Sequence, residues 1–194
     1  MSFSDSFRFV ASIRDFNPVK LFTGVLVSEP GLLPPVEQHL EEHFGPIDHR
    51  SNVIPFNFTG YYENEMGKSL DRVFFSFERL IDGGRLPEIK RKTNDLEREL
   101  AGLRTEVARP VNLDPGYIEN AKVILASTKN FYHRIYLGGG IFGEVTMHFR
   151  DNRYQFFPWT YPDYQSVDYL EFFLRVRRIY REQLKTMCLL KPKT

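Results

Sequence analysis

The chain has 194 residues, of which 42% are hydrophobic and 26% are charged, and this is the composition of an ordinary globular protein. Its formal net charge of +1 excludes a global field that would attract nucleic acid or an anionic membrane. Because Cys188 is the single cysteine, no disulfide can form within the chain, which indicates a reducing compartment. No apolar run is long enough for a signal peptide or a membrane-spanning helix. We therefore expect a cytoplasmic protein with no membrane span.

The pattern of hydrophobic residues predicts an α+β fold. Residues 1–18 are predicted to form an N-terminal arm, and residues 19–190 a single domain in two sub-halves joined near residues 104–111. We expect a mixed or antiparallel sheet with three to four helices packed on it. Because 15% of the residues are aromatic, the core should be rich in rings.

The first half contains five segments with a clear period. An apolar run at 20–28 predicts a buried central strand, and 53–58 and 72–78 are predicted as further strands. In 72–78, alternate residues should point to opposite faces of the sheet. Apolar stripes at helical spacing predict helices over 34–44, which begins with two prolines, and over 87–103.

The second half is less clear. Asp114-Pro115-Gly116 is predicted to be a tight turn or a helix start, and 118–128 a helix or a strand, with helix preferred. Three glycines at 138–140 predict a hairpin. The remaining segments are predicted strands at 132–137, 141–150 and 153–157 and a final helix at 166–187 whose buried stripe is Tyr169, Phe173, Val176, Tyr180 and Leu184.

The hairpin supports a geometric inference about its side chains. If the three glycines form the loop, Leu137 lies opposite Ile141, and Arg134 lies opposite Glu144. This register puts Arg134 and Glu144 on one face with Tyr136, Thr146 and His148. The opposite face would carry His133, Ile135, Leu137, Val145, Met147 and Phe149. We interpret His133 as a hydrogen-bonded core residue.

Several longer stretches resemble an uncharacterised bacterial family, domain-of-unknown-function family four-four-one-six. The resemblance covers about residues 18 to 186, and it implies no established activity and no catalytic residue. Some members carry a GTP-binding label. The matching stretches in this chain are Val19-Lys20-Leu21-Phe22, Phe44-Gly45-Pro46-Ile47-Asp48, Tyr61-Tyr62-Glu63-Asn64-Glu65-Met66-Gly67-Lys68, Asn112-Leu113-Asp114-Pro115-Gly116-Tyr117, His133-Arg134-Ile135-Tyr136-Leu137-Gly138 and Pro158-Trp159-Thr160-Tyr161-Pro162-Asp163-Tyr164.

Two motifs that would indicate specific chemistry are incomplete. Gly67-Lys68-Ser69 ends like a phosphate-binding loop, but the first glycine of that motif is Tyr62, acidic residues flank the segment, and a strand is predicted to follow it. We therefore expect no tight GTP binding there. His39 and His43 have the spacing of metal ligands on a helix, but no third ligand is evident. We expect no metal, and the sequence identifies no cofactor.

The polar and aromatic residues of 112–164 suggest a site. We expect a cleft between the 112–117 turn, the 132–150 hairpin and the 157–164 loop, holding a small anionic ligand that could be nucleotide-like. Whether the protein is an enzyme stays open, with Asp114, Glu144 and His148 as candidates for acid–base work. The candidate ligand-binding residues are Lys129, Arg134, Tyr136, Trp159, Thr160, Tyr161 and Asp163.

Two alternatives compete with this hypothesis. The 157–164 loop could be a plug that seals the core before the last helix, and Asp114 could be a helix cap. The protein could also be an interaction module without chemistry, with exposed aromatic residues as its partner surface. A concave pocket that gathers the polar groups would favour ligand binding, and a flat aromatic patch would favour the interaction module.

Overall fold

A computed structural model describes residues 16–102 and 107–190. The strands are β1 (Val19–Val27), β2 (Ile47–Arg50), β3 (Ile54–Phe56), β4 (Leu70–Ile81), β5 (Val111–Ile118), β6 (Lys122–Ser127), β7 (Ile135–Gly138), β8 (Ile141–Arg150) and β9 (Arg153–Phe156). The α-helices are α1 (Leu33–Phe44), α2 (Glu63–Met66), α3 (Leu86–Ala101) and α4 (Val167–Thr186). Short 3-10 turns lie at Pro30–Leu32, Gly83–Arg85 and Pro162–Gln165.

The nine strands of the described residues form one open antiparallel sheet. Its order is β2-β4-β1-β5-β6-β8-β7, with β3 paired to β4 and β9 paired to β8. This confirms the predicted α+β fold in a single domain and makes the sheet antiparallel rather than mixed. None of the helices in the described part of the chain is both long and apolar enough to cross a membrane.

Both faces of the sheet are covered, which explains the many apolar residues in its central strands. Val73, Phe75 and Phe77 of β4 pack in a core under α1 and α3. Phe74 points the other way, into a ring-rich core with Phe173 of α4. The alternation predicted for 72–78 is therefore confirmed, and each face of β4 buries its own set of residues.

Most predicted helices and strands are confirmed, with ends shifted by one to three residues. β1 is the buried strand predicted at 20–28, and it lies between β4 and β5. In α4 the whole predicted stripe is buried, and Ser166 caps the helix by accepting a hydrogen bond from the backbone N–H of Tyr169. The predictions for residues 1–15, for Leu103 and for 104–106 concern positions outside the described residues.

The prediction of a turn or helix start at Asp114 is wrong, because Asp114, Pro115 and Gly116 lie inside β5. The proline is tolerated because β5 pairs with β6 only from Gly116 onward, so the missing N–H costs no ladder bond on that side. Gly116 is required by close packing. A Cβ atom there would lie 2.3 Å from the carbonyl oxygen of Ile124 and 2.6 Å from the ring of Phe22.

The preference for a helix over 118–128 is also wrong. The chain leaves β5 at Ile118, turns with a hydrogen bond from the N–H of Glu119 to the carbonyl of Lys122, and continues as β6. The four central residues of β6 are buried on both faces, so the apolar run shows no alternation. A short continuous apolar run does not distinguish a buried strand from a helix, which explains the error.

Two other strands are shorter or begin later than predicted, and two short elements were not predicted. The strand predicted at 53–58 is shorter, and β2 and the four-residue α2 were not predicted. A strand, β4, does follow Gly67-Lys68-Ser69, as expected for a segment that is not a phosphate-binding loop. The strand predicted at 132–137 begins only at Ile135, because the N–H of Arg134 bonds the carbonyl of Phe131 in a turn.

The hairpin has the predicted pairing near its open end. Ile135 pairs with Gly143 and Tyr136 with Phe142. The predicted pair of Leu137 with Ile141 is wrong, because the register shifts and Gly138 pairs with Ile141. Gly138, Gly139 and Gly140 all have positive φ. The faces do not follow the prediction along all of β8. Val145 and Met147 of β8 pair with adjacent residues of β6, so the register shifts at Thr146. This shift reverses the faces beyond it, so His148 does not share a face with Glu144.

Candidate functional site

The site begins where β5 and β6 separate. β5 pairs with β1 along eight positions, but with β6 at only three, from Gly116 to Ile118. Within the described residues, the first half of β5 has no strand on its β6 side. Unpaired backbone groups inside a protein must find other partners. This separation opens the sheet beside Asp114 and creates room for polar side chains.

Two buried side chains of α3 satisfy the unpaired backbone of β5. Glu97 Oε1 accepts a hydrogen bond from the backbone N–H of Leu113 at 2.8 Å. Lys90 Nζ donates to the carbonyl of the same residue at 2.7 Å. Lys90 also lies 3.9 Å from Asp114 Oδ1. Burial raises the pKa of Glu97, and Lys90 and Arg109 offset part of that rise. Two charged side chains of α3 thus make the hydrogen bonds to Leu113 that a neighbouring strand would otherwise make.

Buried Arg72 and half-buried Asp114 form the centre of the site. Arg72 Nη1 lies 3.3 Å from Asp114 Oδ2, and the two side chains are 3% and 28% exposed. Asn112 Nδ2 donates to the same oxygen at 2.7 Å. Burial alone would raise the pKa of Asp114, but Lys90, Arg72 and Asn112 together hold it below its usual range. Asp114 is therefore a stable carboxylate and not a helix cap.

The guanidinium of Arg72 is only partly satisfied. It lies between the rings of Phe56 and Phe74, at 5.5 and 5.7 Å from the ring centroids. Its Nε is buried and makes no hydrogen bond of good geometry among the described residues, although the hydroxyl of Tyr169 lies close enough to interact with the guanidinium. Asp163 and Asp114 both act on it electrostatically, and burial raises the pKa of Asp163. A buried arginine with an unused N–H can donate a hydrogen bond to an acceptor atom of a ligand.

Arg134 and Glu144 form a second ionic group at the hairpin. Arg134 Nε donates to Glu144 Oε2 at 2.8 Å, so the two residues predicted to be neighbours are in contact, although Arg134 lies in the turn before β7 and not in the strand. The other guanidinium nitrogens donate to the carbonyl of Lys129 at 2.9 Å and to the hydroxyl of Tyr161 at 2.7 Å. His133 Nε2 also lies 3.1 Å from Glu144 Oε2, so His133 is not on the opposite, apolar face. Arg134 therefore connects three segments of the chain, which contain Lys129, Glu144 and Tyr161.

The mouth of the site is bridged by Tyr61 and Lys129. The ammonium of Lys129 donates to the hydroxyl of Tyr61 and lies 4.4 Å from the centroid of its ring. Tyr61 is 61% exposed and contacts Tyr62 edge to face, with ring centroids 5.1 Å apart. Among the described residues, Lys129 has no carboxylate within 4.0 Å. Its positive charge is thus available at the mouth.

These groups line two adjoining cavities of about 480 and 490 Å³. The first is bounded by α3 and Arg109, and the second by Phe56, Arg72 and residues 161–164. Each has the size of a small-molecule site. The two cavities share Tyr61, Tyr62, Asp114, Ala126, Ser127, Lys129, Arg134 and Tyr161.

Six of the predicted site residues lie on these cavities. The predicted gathering of Asp114, Arg134 and Glu144 in one concavity is therefore present in the structure, and their role in binding or catalysis stays a prediction. The six residues are Asp114, Lys129, Arg134, Glu144, Tyr161 and Asp163. The other four, Tyr136, His148, Trp159 and Thr160, line neither cavity.

Trp159 is held away from the cavities by its neighbours. Its indole Nε1 donates to the carbonyl of Val145 at 2.9 Å. The ring is stacked between Phe157 and His133, with centroid distances of 4.8 and 5.2 Å. Both of its faces are therefore occupied by protein, and the expectation that Trp159 belongs to the cleft is wrong.

Thr160 has the structural role that the plug alternative describes. It is buried, its hydroxyl donates to the carbonyl of Thr146, and it accepts from the N–H of Phe157 at 2.8 Å. His148 packs on Phe157, and Tyr136 packs on Phe142 at the exposed hairpin. The two halves of the loop 157–164 therefore have different roles. The first half closes the core, and Tyr161 and Asp163 in the second half face the cavity.

The sequence reasoning missed several residues of the site. Arg72 is the first residue of the strand predicted at 72–78 and is not among the predicted site residues. A charged residue beside an apolar run could have indicated its role. Lys90 and Glu97 lie outside the apolar stripe of the helix predicted at 87–103, and their buried partner is a backbone 16 to 23 residues away, which a local pattern does not reveal. Within the described residues, no group of three or more His, Cys, Asp or Glu could hold a metal ion.

Comparison with known proteins identifies the family and gives no activity. No curated protein and no solved structure matches the chain. Residues 17–180 match the family model described as a domain of unknown function, DUF4416. This range includes every cavity residue named above. Because the match spans well over half of the chain, the protein belongs to the DUF4416 family.

Proposed function

We propose that this protein binds a small anionic ligand in the cavity between Arg72, Asp114 and Lys129. The observation that carries the proposal is Arg72, whose side chain is only 3% exposed and whose Nε makes no hydrogen bond of good geometry among the described residues. A cavity of about 490 Å³ lies beside it. An anionic group there would complete the hydrogen bonding of Arg72.

The charge balance of the cavity supports an anion rather than a cation. The two cavities together are lined by five positive and three negative side chains outside the Arg134–Glu144 pair. The positive ones are Arg72, Lys90, Arg98, Arg109 and Lys129, and the negative ones are Glu97, Asp114 and Asp163. The raised pKa of Asp163, caused first by burial, makes its charge easier to lose. Arg134 and Glu144 neutralise each other and are left out of this balance.

Lys129 and Arg134, the two basic residues that the sequence suggested, have different roles. Lys129 is exposed and contacts only a phenol ring, so it can turn towards a ligand at the mouth. Arg134 already donates to Glu144, to Tyr161 and to a backbone carbonyl. Arg134 therefore positions Tyr161 and the Lys129 segment and does not bind the ligand itself.

We also propose that the ligand is nucleotide-like and that the protein works in the bacterial cytoplasm. The rings of Phe58, Tyr61 and Tyr161 line the cavity and could pack on a planar group, which fits a nucleotide-like ligand. A net charge of +1 supports a small ligand over nucleic acid. A single cysteine, Cys188, supports the cytoplasm, and the sequence resemblance suggests a bacterial source.

A thermal-shift screen followed by calorimetric titration tests the proposal. The probes are inorganic phosphate, short carboxylates, nucleotides and the uncharged nucleosides. A ligand at one hundred times its Kd should stabilise the fold by about 2.7 kcal/mol, which corresponds to roughly 5–10 °C in Tm. Anions should shift Tm, and the uncharged nucleosides should shift it less.

The matched variants are Lys129→Gln at the mouth and Lys122→Gln at the far end of β6. Lys122 pairs with Glu119 at 2.9 Å and lines neither cavity. Loss of Lys129 should weaken anion binding about tenfold, because a charge-assisted hydrogen bond is worth about 1.5–3 kcal/mol. Loss of Lys122 should leave affinity unchanged. The proposal fails if no anion binds or if both variants bind as tightly as the native protein.

A further inference from the structure

The hairpin strand β7 is an edge of the sheet with unusual exposure. It is the last strand in the sheet order and pairs only with β8 among the described strands. Ile135, Tyr136 and Leu137 are 69%, 59% and 41% exposed. An unpaired edge offers backbone N–H and C=O groups to any further strand. This feature lies outside the two cavities, so it is independent of the anionic ligand.

The other edges of the sheet carry features that prevent pairing, and β7 does not. β2 contains Asp48, His49 and Arg50, β3 has Pro55 at its centre, and β9 begins with the exposed Arg153. Charged residues and prolines are the usual protection of edge strands. The segment 135–143 contains no charged residue and no proline. A surface edge without protection indicates a strand that pairs in the working protein.

The apolar area around β7 is large enough for a protein contact. Phe131, Tyr132 and Tyr136 are 57%, 76% and 59% exposed. At about 200 Å² for each ring, these three expose roughly 400 Å², to which Ile135 and Leu137 add. A standard interface buries about 800 Å² on each partner, so the patch provides half or more of that area.

We propose that β7 pairs antiparallel with β7 of a second copy of this chain. A twofold axis at Tyr136 places Ile135 of one copy beside Leu137 of the other and the two Tyr136 rings together. Because the segment is uncharged, no like charges meet across such an axis. A twofold contact uses the same surface twice, which is the commonest arrangement of soluble oligomers. The result is one continuous sheet through both copies.

Sedimentation equilibrium over a wide concentration range tests this pairing. We expect the native chain to form dimers, and Tyr136→Lys to raise the dissociation constant at least tenfold, because it brings two ammonium groups together at the axis. Val167→Lys is the matched control. Val167 is 81% exposed at the start of α4, and this variant should dimerise like the native chain.

A charge exchange makes the test specific for a second copy. Tyr136→Glu should also be monomeric, and a mixture of Tyr136→Lys and Tyr136→Glu should form dimers again. Circular dichroism and Tm check that each variant is folded. The inference is overturned if the native chain is monomeric at every concentration, or if its dimer is unaffected by Tyr136→Lys. A monomer would leave the edge to a different occupant.

Discussion

At the scale of single residues, the ionic groups of the cavity should contribute to stability as well as to binding. Asp114 bonds Asn112 and contacts Arg72, which is buried beside it. Removing one member of a buried ion pair leaves the other charge without compensation, at a cost of about 3–5 kcal/mol. The structure therefore assigns Asp114 a folding role that its sequence position did not reveal.

We predict that Asp114→Asn lowers the free energy of unfolding by about 3 kcal/mol at pH 7. The pKa of Asp114 is lowered in the folded state, so its contribution is present above the unfolded pKa of about 3.9 and is lost as pH falls through the folded pKa. The difference between the native protein and the variant should therefore shrink in acid.

Urea unfolding at neutral and acid pH measures this difference. Asp151→Asn is the control, because Asp151 is 70% exposed, and we expect a change within about 0.5 kcal/mol. A pH-independent difference for Asp114→Asn would mean that its carboxylate charge does not cause the effect.

A second prediction concerns Arg134 and Glu144, whose side chains are 8% and 1% exposed. In a double-mutant cycle with Arg134→Met and Glu144→Gln, we expect a coupling energy of about 1–3 kcal/mol, because the two residues share a buried charge-assisted hydrogen bond. The exposed pair Lys185 and Glu182 should couple by less than about 0.5 kcal/mol. Equal coupling in the two cycles would contradict a buried pair.

At the scale of secondary structure elements, β5 is the strand that determines the site. It is bound to β1 over its length and to β6 at one end only, and α3 fills the resulting gap. Close packing of Gly116 against Ile124 and Phe22 maintains the short paired end. The cavity therefore depends on a glycine that does not touch it.

We predict that Gly116→Ala destabilises the protein by about 3 kcal/mol, because the new methyl group would overlap a backbone oxygen that cannot move without breaking the β5–β6 pairing. Chemical denaturation measures the loss. Gly60→Ala is the matched control, since its methyl group would meet only the flexible end of Glu63, at 3.1 Å. The control should change stability by less than about 0.5 kcal/mol. Equal stability of both variants would contradict the close approach at Gly116.

At the scale of the whole molecule, α4 joins the two halves of the chain. Its Phe173 lies in one core with Phe22 and Phe74 from the first half and with Val123 and Met147 from the second. A core shared in this way should make unfolding cooperative, although β5 and β6 share only three pairs.

We predict one unfolding transition, with the fluorescence of Trp159 in the second half and far-ultraviolet circular dichroism giving the same midpoint. Phe173→Ala should lower the free energy of unfolding by about 3–5 kcal/mol and keep the two midpoints equal. Separate midpoints in the native protein would show that the halves unfold independently. Val167 provides the control, because Val167→Ala removes a side chain that is 81% exposed and should change stability by less than about 0.5 kcal/mol.

The sequence alone determined the elements whose signal is local. The stripe of α4, the alternation of β4, the buried run of β1 and the glycines at 138–140 are all repeated over a few neighbouring residues, and each is present in the structure. The long matching stretches also determined the family.

Only the tertiary structure decided the site. Arg72 and Asp114 are 42 residues apart in sequence, and they meet because β4 and β5 both flank β1. The gap between β5 and β6, the strand identity of 118–128 and the register shift at Thr146 depend on which strands pair, and for how many residues. Such pairing depends on contacts between segments that are distant in sequence, so no local period of the sequence encodes it.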